Sequence, residues 1–61
     1  MKVKVETCWN GGDNYSQRLT LPDGRRYSVR GDWTAEVKRE ARRILEVETG
    51  IPATSFRFDV H

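Results

Sequence analysis

The residues of this chain best suited to binding a charged ligand are cations placed at alternate positions along stretches of polar and apolar residues. Alternation puts every second side chain on the same face of a strand, so these cations would share one face of a sheet. They are Lys2, Lys4, Arg18, Arg26, Arg30 and Arg57. Lysine and arginine neutralise phosphates and release condensed counterions, and both can read guanine edges if the sheet enters a major groove. The pattern therefore predicts contact with DNA or RNA.

Charge is segregated onto that predicted face. The six cations share it with Glu6 and Asp59, which leaves a formal excess of four positive charges, whereas the whole chain carries +2. The remaining residues therefore sum to −2. Long polar side chains also cover the solvent side of ordinary antiparallel sheets, so a plain solvated face stays open as an alternative.

Catalytic and metal-binding residues are scarce. General acid–base or nucleophilic catalysis needs a histidine or a matched carboxylate pair, but His61, at the last position, is the only histidine. Asp13, Asp23 and Asp32 fit turns or a helix cap. We therefore predict a non-enzymatic protein with no cofactor, no metal site and no small-molecule substrate.

The segment from Thr34 to Gly50 carries the only clear helical pattern and organises the fold. Its apolar residues recur at three- and four-residue spacing and form one stripe. They are Val37, Ala41, Ile44 and Leu45. Asp32 or Thr34 is predicted to cap the N-terminus, and Gly50 takes the left-handed conformation that ends a helix.

The other side of this helix carries a second basic cluster interleaved with glutamates. Its basic residues are Lys38, Arg39, Arg42 and Arg43. Glu36 precedes Arg39 by three residues, which is an ion-pairing spacing on a helix. Arg42 and Glu46 are related in the same way at four residues, so a salt-bridged, solvated face is predicted. Glu48 falls within the apolar arc, where exposure beyond the sheet edge and pairing with an arginine are both open.

Strands are predicted at residues 2–9, 17–21 and 55–60 and directly after the Pro22-Asp23-Gly24 turn, while residues 10–14 form a loop. The turn makes a hairpin in which Leu19 lies opposite Tyr27 and Arg18 opposite Ser28. The predicted inward residues are Val3, Val5, Thr7, Trp9, Leu19, Leu21, Tyr27, Val29, Phe56, Phe58 and Val60. The result is one α+β domain, residues 1–61, of order β-β-β-α-β: a small antiparallel sheet of three to four strands with one helix packed on one face.

Aromatic rings offer a second way to bind nucleic acid, because unpaired bases stack on them. Trp9 is predicted on the inward face and Trp33 at the helix entry, which favours packing for both. Tyr15, in the predicted loop, is the exposed candidate. Cys8 is predicted on the outward face, where an inert thiol and one that links two chains are both open.

Part of the chain resembles the ubiquitin-like β-grasp family. The similar segments are Val37-Lys38 on the helix, residues 49–53 after it, and Phe56-Arg57-Phe58 in the last strand. The extra strand at residues 2–9 and the absence of a diglycine tail depart from that family, so the resemblance implies a shape and not conjugation. A three-stranded sheet braced by a helix is also similar to DNA-binding modules of some phage-type integrases and plant transcription factors.

The small size of the chain favours a partner. A domain of this length buries only about 60 % of its unfolded surface, so close packing, self-association or a partner must stabilise it. The alternative function is therefore a protein-interaction module, such as a phage or bacterial inhibitor or adaptor, or a homodimer joined by strand pairing along residues 2–9. No apolar run is long enough for a signal peptide or a membrane span, and Cys8 is the single cysteine. A cytoplasmic protein that does not contact membranes is predicted.

Overall fold

In the computed structural model, which describes residues 1–61, one helix crosses one face of a four-stranded sheet. The strands are β1 (Lys2–Trp9), β2 (Tyr15–Thr20), β3 (Arg26–Arg30) and β4 (Arg57–Val60). The helix α1 spans Ala35–Thr49, and a short 3-10 turn at Ala53–Ser55 leads into β4. The predicted α+β class and the order β-β-β-α-β are confirmed.

The strands lie in the order β3-β2-β1-β4. β2 is antiparallel to both of its neighbours, whereas β4 is parallel to β1, so the sheet is mixed rather than wholly antiparallel. The reason is the path of α1, which carries the chain from the β3 edge back across the sheet, so that β4 starts at the same end as β3 and β1. β4 pairs with β1 along Lys2–Val5, so the homodimer predicted from strand pairing along residues 2–9 has the part of β1 beyond Val5 available and stays a prediction.

The β2–β3 hairpin has the predicted register. Leu19 lies opposite Tyr27 and Arg18 opposite Ser28. The turn closes with a hydrogen bond from the Leu21 amide to the Arg25 carbonyl at 2.9 Å. Gly24 takes a φ of 92°, a conformation that L side chains rarely adopt. The turn residues therefore fix which side chains share each face of the sheet.

The boundaries of α1 also agree with the prediction. Thr34 is the cap, and its hydroxyl oxygen accepts a hydrogen bond from the Val37 amide at 3.2 Å. Gly50 ends the helix at a φ of 74°, and its N–H donates to the Glu46 carbonyl. The apolar stripe of α1 and the inward strand residues form the buried core. Its members are Val3, Val5, Leu19, Leu21, Val29, Ala41, Leu45 and Phe56.

Two predicted core residues lie on the expected face but are not buried. Trp9 is 67 % exposed and Val60 is 50 % exposed, so the predicted inward face does not bring burial at these positions. Thr7, also predicted inward, is exposed as well. Alternation along a strand determines the face that a side chain takes, but not whether the helix reaches that part of the face. These three residues lie where α1 leaves the sheet uncovered.

Gln17 is the single buried polar residue of the protein. Its side-chain amide donates to the carbonyl of Gly31 at 2.9 Å, and its carbonyl oxygen accepts from the Thr7 hydroxyl at 2.9 Å. Both polar ends of the side chain are thereby satisfied, as burial requires. Gln17 joins β1, β2 and the residue that follows β3.

Arg42 does not make the predicted ion pair with Glu46. Its Nη1 donates to the carbonyls of Ala53 at 3.2 Å and Phe56 at 2.6 Å, and its guanidinium lies 4.9 Å from the centroid of the Phe58 ring. The Glu46 carboxylate instead accepts from the amide of Ala53 at 2.7 Å. The backbone after α1 folds back beside the helix and offers better partners than the neighbouring helical turn.

The other charged residues of α1 make no ion pairs either. The three ion pairs of the chain all lie outside the helix. The predicted pair of Glu36 with Arg39 is therefore wrong. Glu48 is exposed and unpaired, which agrees with the solvent alternative. The helix is too short and too polar to cross a bilayer.

Candidate nucleic-acid interface

The six predicted cations all lie on the face of the sheet that α1 does not cover. We call this set the basic face, and every member is exposed: Lys2, Lys4, Arg18, Arg26, Arg30 and Arg57. Their neighbours in sequence on β1, β2 and β3 point into the core, so the apolar alternation of the strands holds the cations outward. The basic face shares its surface with the carboxylates of Glu6 and Asp59.

The β2–β3 half of the basic face carries three arginines. Arg26 and Arg30 are four residues apart on β3, which separates them by about 13 Å along the strand. Arg18 lies between them on the adjacent strand, opposite Ser28. Arg26 and Arg30 themselves face residues with small side chains, Thr20 and Ser16. Across the β2–β3 pair, each of the three arginines therefore lies opposite a small side chain, which leaves room for a ligand.

These three arginines have no partner within the protein. They take part in none of the ion pairs of the chain and in none of its side-chain hydrogen bonds. Glu6 lies opposite Arg18 across β1 and β2, yet the two side chains form no ion pair. Fifteen N–H donors, five on each guanidinium, therefore face solvent without an acceptor from the fold.

The β1–β4 half of the basic face is partly neutralised. The ammonium of Lys2 lies 3.5 Å from the carboxylate of Asp59. The Nε2 atom of His61 lies 3.2 Å from the same carboxylate. Lys4 faces Asp59 across the β1–β4 pair, and Arg57 faces Lys2. The two halves therefore differ in how much positive charge they leave uncompensated.

A hollow of about 530 Å³ adjoins the arginine half, where the β1–β2 loop meets the end of β3. Its lining residues are Asn10, Asp13, Asn14, Tyr15, Arg30 and Gly31. The sequence pattern indicated only a loop at residues 10–14, because asparagine, aspartate and glycine are typical of turns. Contact of this loop with Arg30 depends on the β1–β2 pairing, which local sequence does not reveal.

The aromatic residues lie away from the basic face, except that Tyr15 borders the hollow beside Arg30. Trp33 packs edge to face against Phe58 with ring centroids 5.1 Å apart, which confirms its predicted packing role. Tyr15 is the first residue of β2 rather than a loop residue, and it is 37 % exposed. Its cross-strand neighbour Trp9 donates its indole N–H to the Gly12 carbonyl at 2.8 Å. Trp9 and Tyr15 therefore form an exposed aromatic pair on the helix side of the sheet.

Two further observations bear on the chemistry of the surface. Cys8 is a free, half-buried thiol on the outward side of β1. No group of three or more histidine, cysteine, aspartate or glutamate side chains is arranged to hold a metal ion.

Comparison of the chain with protein families, with curated proteins and with solved structures finds no match in any of the three. The similarities to β-grasp proteins and to integrase-type DNA-binding modules therefore stay resemblances. Functional inference rests on the geometry of the surface.

Proposed function

We propose that this protein is a small non-enzymatic module that binds nucleic acid through the basic face. The observation that carries the proposal is the group of three unpartnered guanidinium groups from Arg18, Arg26 and Arg30 on one open sheet surface. A planar guanidinium matches two phosphate oxygens at once, and small neighbouring side chains allow a sugar–phosphate backbone to approach.

The energetics of such binding would be dominated by counterion release. Each phosphate that a lysine or arginine neutralises contributes about −0.9 to the slope of log K against log salt for duplex DNA and about −0.7 for a single strand. The arginine half of the basic face would supply most of this slope, because Lys2 already has a carboxylate partner. Binding is expected to be strong at low salt and weak in sequence preference along this surface.

A non-enzymatic role is part of the same proposal. His61, the only histidine, lies exposed beside Asp59. No hydroxyl or thiol donates a hydrogen bond to the His61 imidazole, so no activated nucleophile adjoins it. We also assign the protein to the cytoplasm, where nucleic acid is accessible and the unpaired Cys8 stays reduced.

A pair of charge-reversal variants tests this proposal. The face variant is Arg26→Glu with Arg30→Glu, and the matched control is Lys38→Glu with Arg39→Glu on the exposed side of α1. Both double variants change the net charge by the same amount and leave the core intact. Binding to a fluorescent mixed-sequence duplex and to one of its single strands is measured by anisotropy at low and physiological salt.

The face variant is expected to weaken binding about 100-fold at low salt and to lower the salt slope by about two. The helix control is expected to bind within about threefold of the original chain, because its charges lie on the far side of the sheet. Circular dichroism checks that both variants are folded. Equal losses in the two variants, or no binding by the original chain at either salt concentration, would contradict the proposal.

One observation favours the alternative of a protein-interaction module. Trp9 is 67 % exposed and lies beside Tyr15, and exposed aromatic residues are enriched in protein interfaces. On this alternative, the chain would capture a specific protein from nuclease-treated lysate, and Trp9→Ser would abolish the capture while the arginine reversals would not. Capture that disappears with nuclease treatment would support the nucleic-acid proposal instead.

A further inference from the structure

The hollow between the β1–β2 loop and the end of β3 is lined by side chains with four kinds of hydrogen-bonding group, one of which is the Tyr15 hydroxyl. Arg30 carries a guanidinium, Asp13 a carboxylate, and Asn10 and Asn14 carboxamides. Neither Arg30 nor Asp13 belongs to any ion pair of the chain. The only hydrogen bond made by these four side chains runs from Asn10 Nδ2 to the Ser16 hydroxyl at 3.1 Å. Most of their donors and acceptors are therefore available to a ligand.

The mixture of charges in the hollow indicates a polar ligand rather than a second phosphate. Asp13 would repel an anion placed beside Arg30, so the hollow differs from the rest of the arginine half. Its volume of about 530 Å³ exceeds what one nucleobase needs, and it is open to solvent at the end of the sheet. A flat ring fits these groups if one edge carries donors for the carboxylate and the adjacent edge carries acceptors for the guanidinium.

Among the four DNA bases, guanine has this arrangement. O6 and N7 are adjacent acceptors that a guanidinium contacts with two hydrogen bonds. The N1–H and the N2 amino group are adjacent donors that a carboxylate accepts. We infer that the hollow binds a guanine base, with Arg30 donating to O6 and N7 and Asp13 accepting from N1 and N2. This inference rests on the proposed nucleic-acid function and adds a base preference to it.

The same geometry requires the guanine to be unpaired. In a duplex, N1–H and the N2 amino group pair with cytosine, so the Asp13 carboxylate could not accept from them. Proteins that read single strands commonly use these exposed edges. Arg18 lies near Arg30, on β2, where it could hold the phosphate that follows the bound base. The protein would therefore prefer a single strand containing guanine to the same sequence in a duplex.

The test uses fluorescent oligothymidylates that differ at one central position, which is thymine, guanine or hypoxanthine. The guanine strand is expected to bind about tenfold more tightly than the thymine strand. The hypoxanthine strand lacks the N2 amino group and is expected to bind with intermediate affinity. Pairing the guanine strand with its complement should remove the advantage.

The decisive variant is Asp13→Asn, which replaces a carboxylate outside the basic face. It should remove the advantage of guanine over hypoxanthine, because the acceptor for the N2 amino group is lost, and it should slightly raise the affinity for oligothymidylate, because one negative charge is removed from the hollow. The matched control is Glu48→Gln, which removes one exposed negative charge at the C-terminal end of α1. This variant should keep the preference for guanine. Circular dichroism verifies that both variants fold.

The possible outcomes distinguish failure of the guanine site from failure of the proposed nucleic-acid function. Equal affinity for all three strands, with binding still dependent on Arg26 and Arg30, would overturn the guanine site and leave the basic face as the nucleic-acid surface. An advantage of guanine over hypoxanthine that is undiminished in Asp13→Asn would overturn the assigned pairing. If no strand binds at low salt, the inference and the proposed function both fail.

Discussion

Arg42 and the arginines of the basic face carry the same side chain but stand in opposite relations to the fold. Arg42 is half-buried, donates to two backbone carbonyls and lies over the ring of Phe58. The arginines of the β2–β3 half are exposed and have no acceptor: Arg18, Arg26 and Arg30. An arginine whose donors are used by the protein stabilises it, whereas one whose donors face solvent is available to a ligand.

The comparison also separates two regions of the molecule. The region around Arg42 ties the end of α1 to the segment that leads into β4. The arginine side chains of the β2–β3 half of the basic face make no contact that stabilises the core. Substitutions in the first region should therefore change stability, and substitutions in the second should change binding alone.

The largest effect on stability is expected from Arg42→Ala. The substitution leaves the Phe56 carbonyl without a donor, leaves the Ala53 carbonyl with the Phe56 N–H alone, and removes the cation from the Phe58 ring. It should lower the free energy of unfolding by about 2–4 kcal/mol, measured by urea denaturation. The neighbouring exposed Arg43→Ala serves as the control and should change it by less than about 0.5 kcal/mol. Equal losses of stability at both positions would contradict the distinction between an arginine that stabilises the fold and an exposed one that does not.

A smaller difference is expected within the basic face. Arg18→Ala should weaken binding to a single strand about fivefold to tenfold, and Lys2→Ala about twofold, because Asp59 already compensates the charge of Lys2. Anisotropy titrations over a range of salt should show the slope falling by about 0.7 for Arg18→Ala and by less for Lys2→Ala. Asp59→Asn should then raise the affinity. Indistinguishable losses at Arg18 and Lys2 would mean that the two halves act alike.

The smallest effect concerns Arg25, an arginine whose partner is a carboxylate. The Arg25 backbone N–H, with help from its guanidinium, lowers the pKa of Asp23 below its ordinary value of 3.8. Because the pKa is lower in the folded than in the unfolded state, the stabilisation is present above that ordinary value and is lost as the pH falls through the lowered one. The thermal midpoint should therefore fall more steeply below pH 3.8 in the original chain than in Asp23→Asn.

The control for this experiment is Asp32→Asn, because Asp32 makes no ion pair and no side-chain hydrogen bond. Its midpoint should follow the original chain across the same range of pH. A carboxyl NMR titration that places Asp23 at or above 3.8 would contradict the assignment.

The parts of the fold that local sequence determines could be predicted. Pro22-Asp23-Gly24 fixes the hairpin register by turn chemistry alone, and that register places Arg18 and Arg26 on one face. The limits of α1 follow from Thr34 and Gly50, whose side-chain and backbone preferences act within one turn of the helix. The placement of the cations on one face could be predicted from these local signals together with strand alternation.

The remaining features depend on contacts between segments distant in sequence. Arg42 finds its acceptors eleven and fourteen residues away, so helix spacing wrongly favoured Glu46. Trp9 is exposed because the extent of the helix over the sheet is a tertiary property. The parallel pairing of β4 with β1, and the meeting of Asp13 with Arg30 at the hollow, likewise arise only once the strands are ordered.

Gln17 has a consequence for the accuracy of folding. If β2 slipped by one residue against its neighbours, Arg18 would enter the interior in its place, and burying an unpaired charge is strongly unfavourable. Gln17 itself would lose its partners Thr7 and Gly31 in the slipped arrangement. The buried amide of Gln17 therefore disfavours any shifted register of β2. The correct register in turn keeps the arginine side chains on the outer surface.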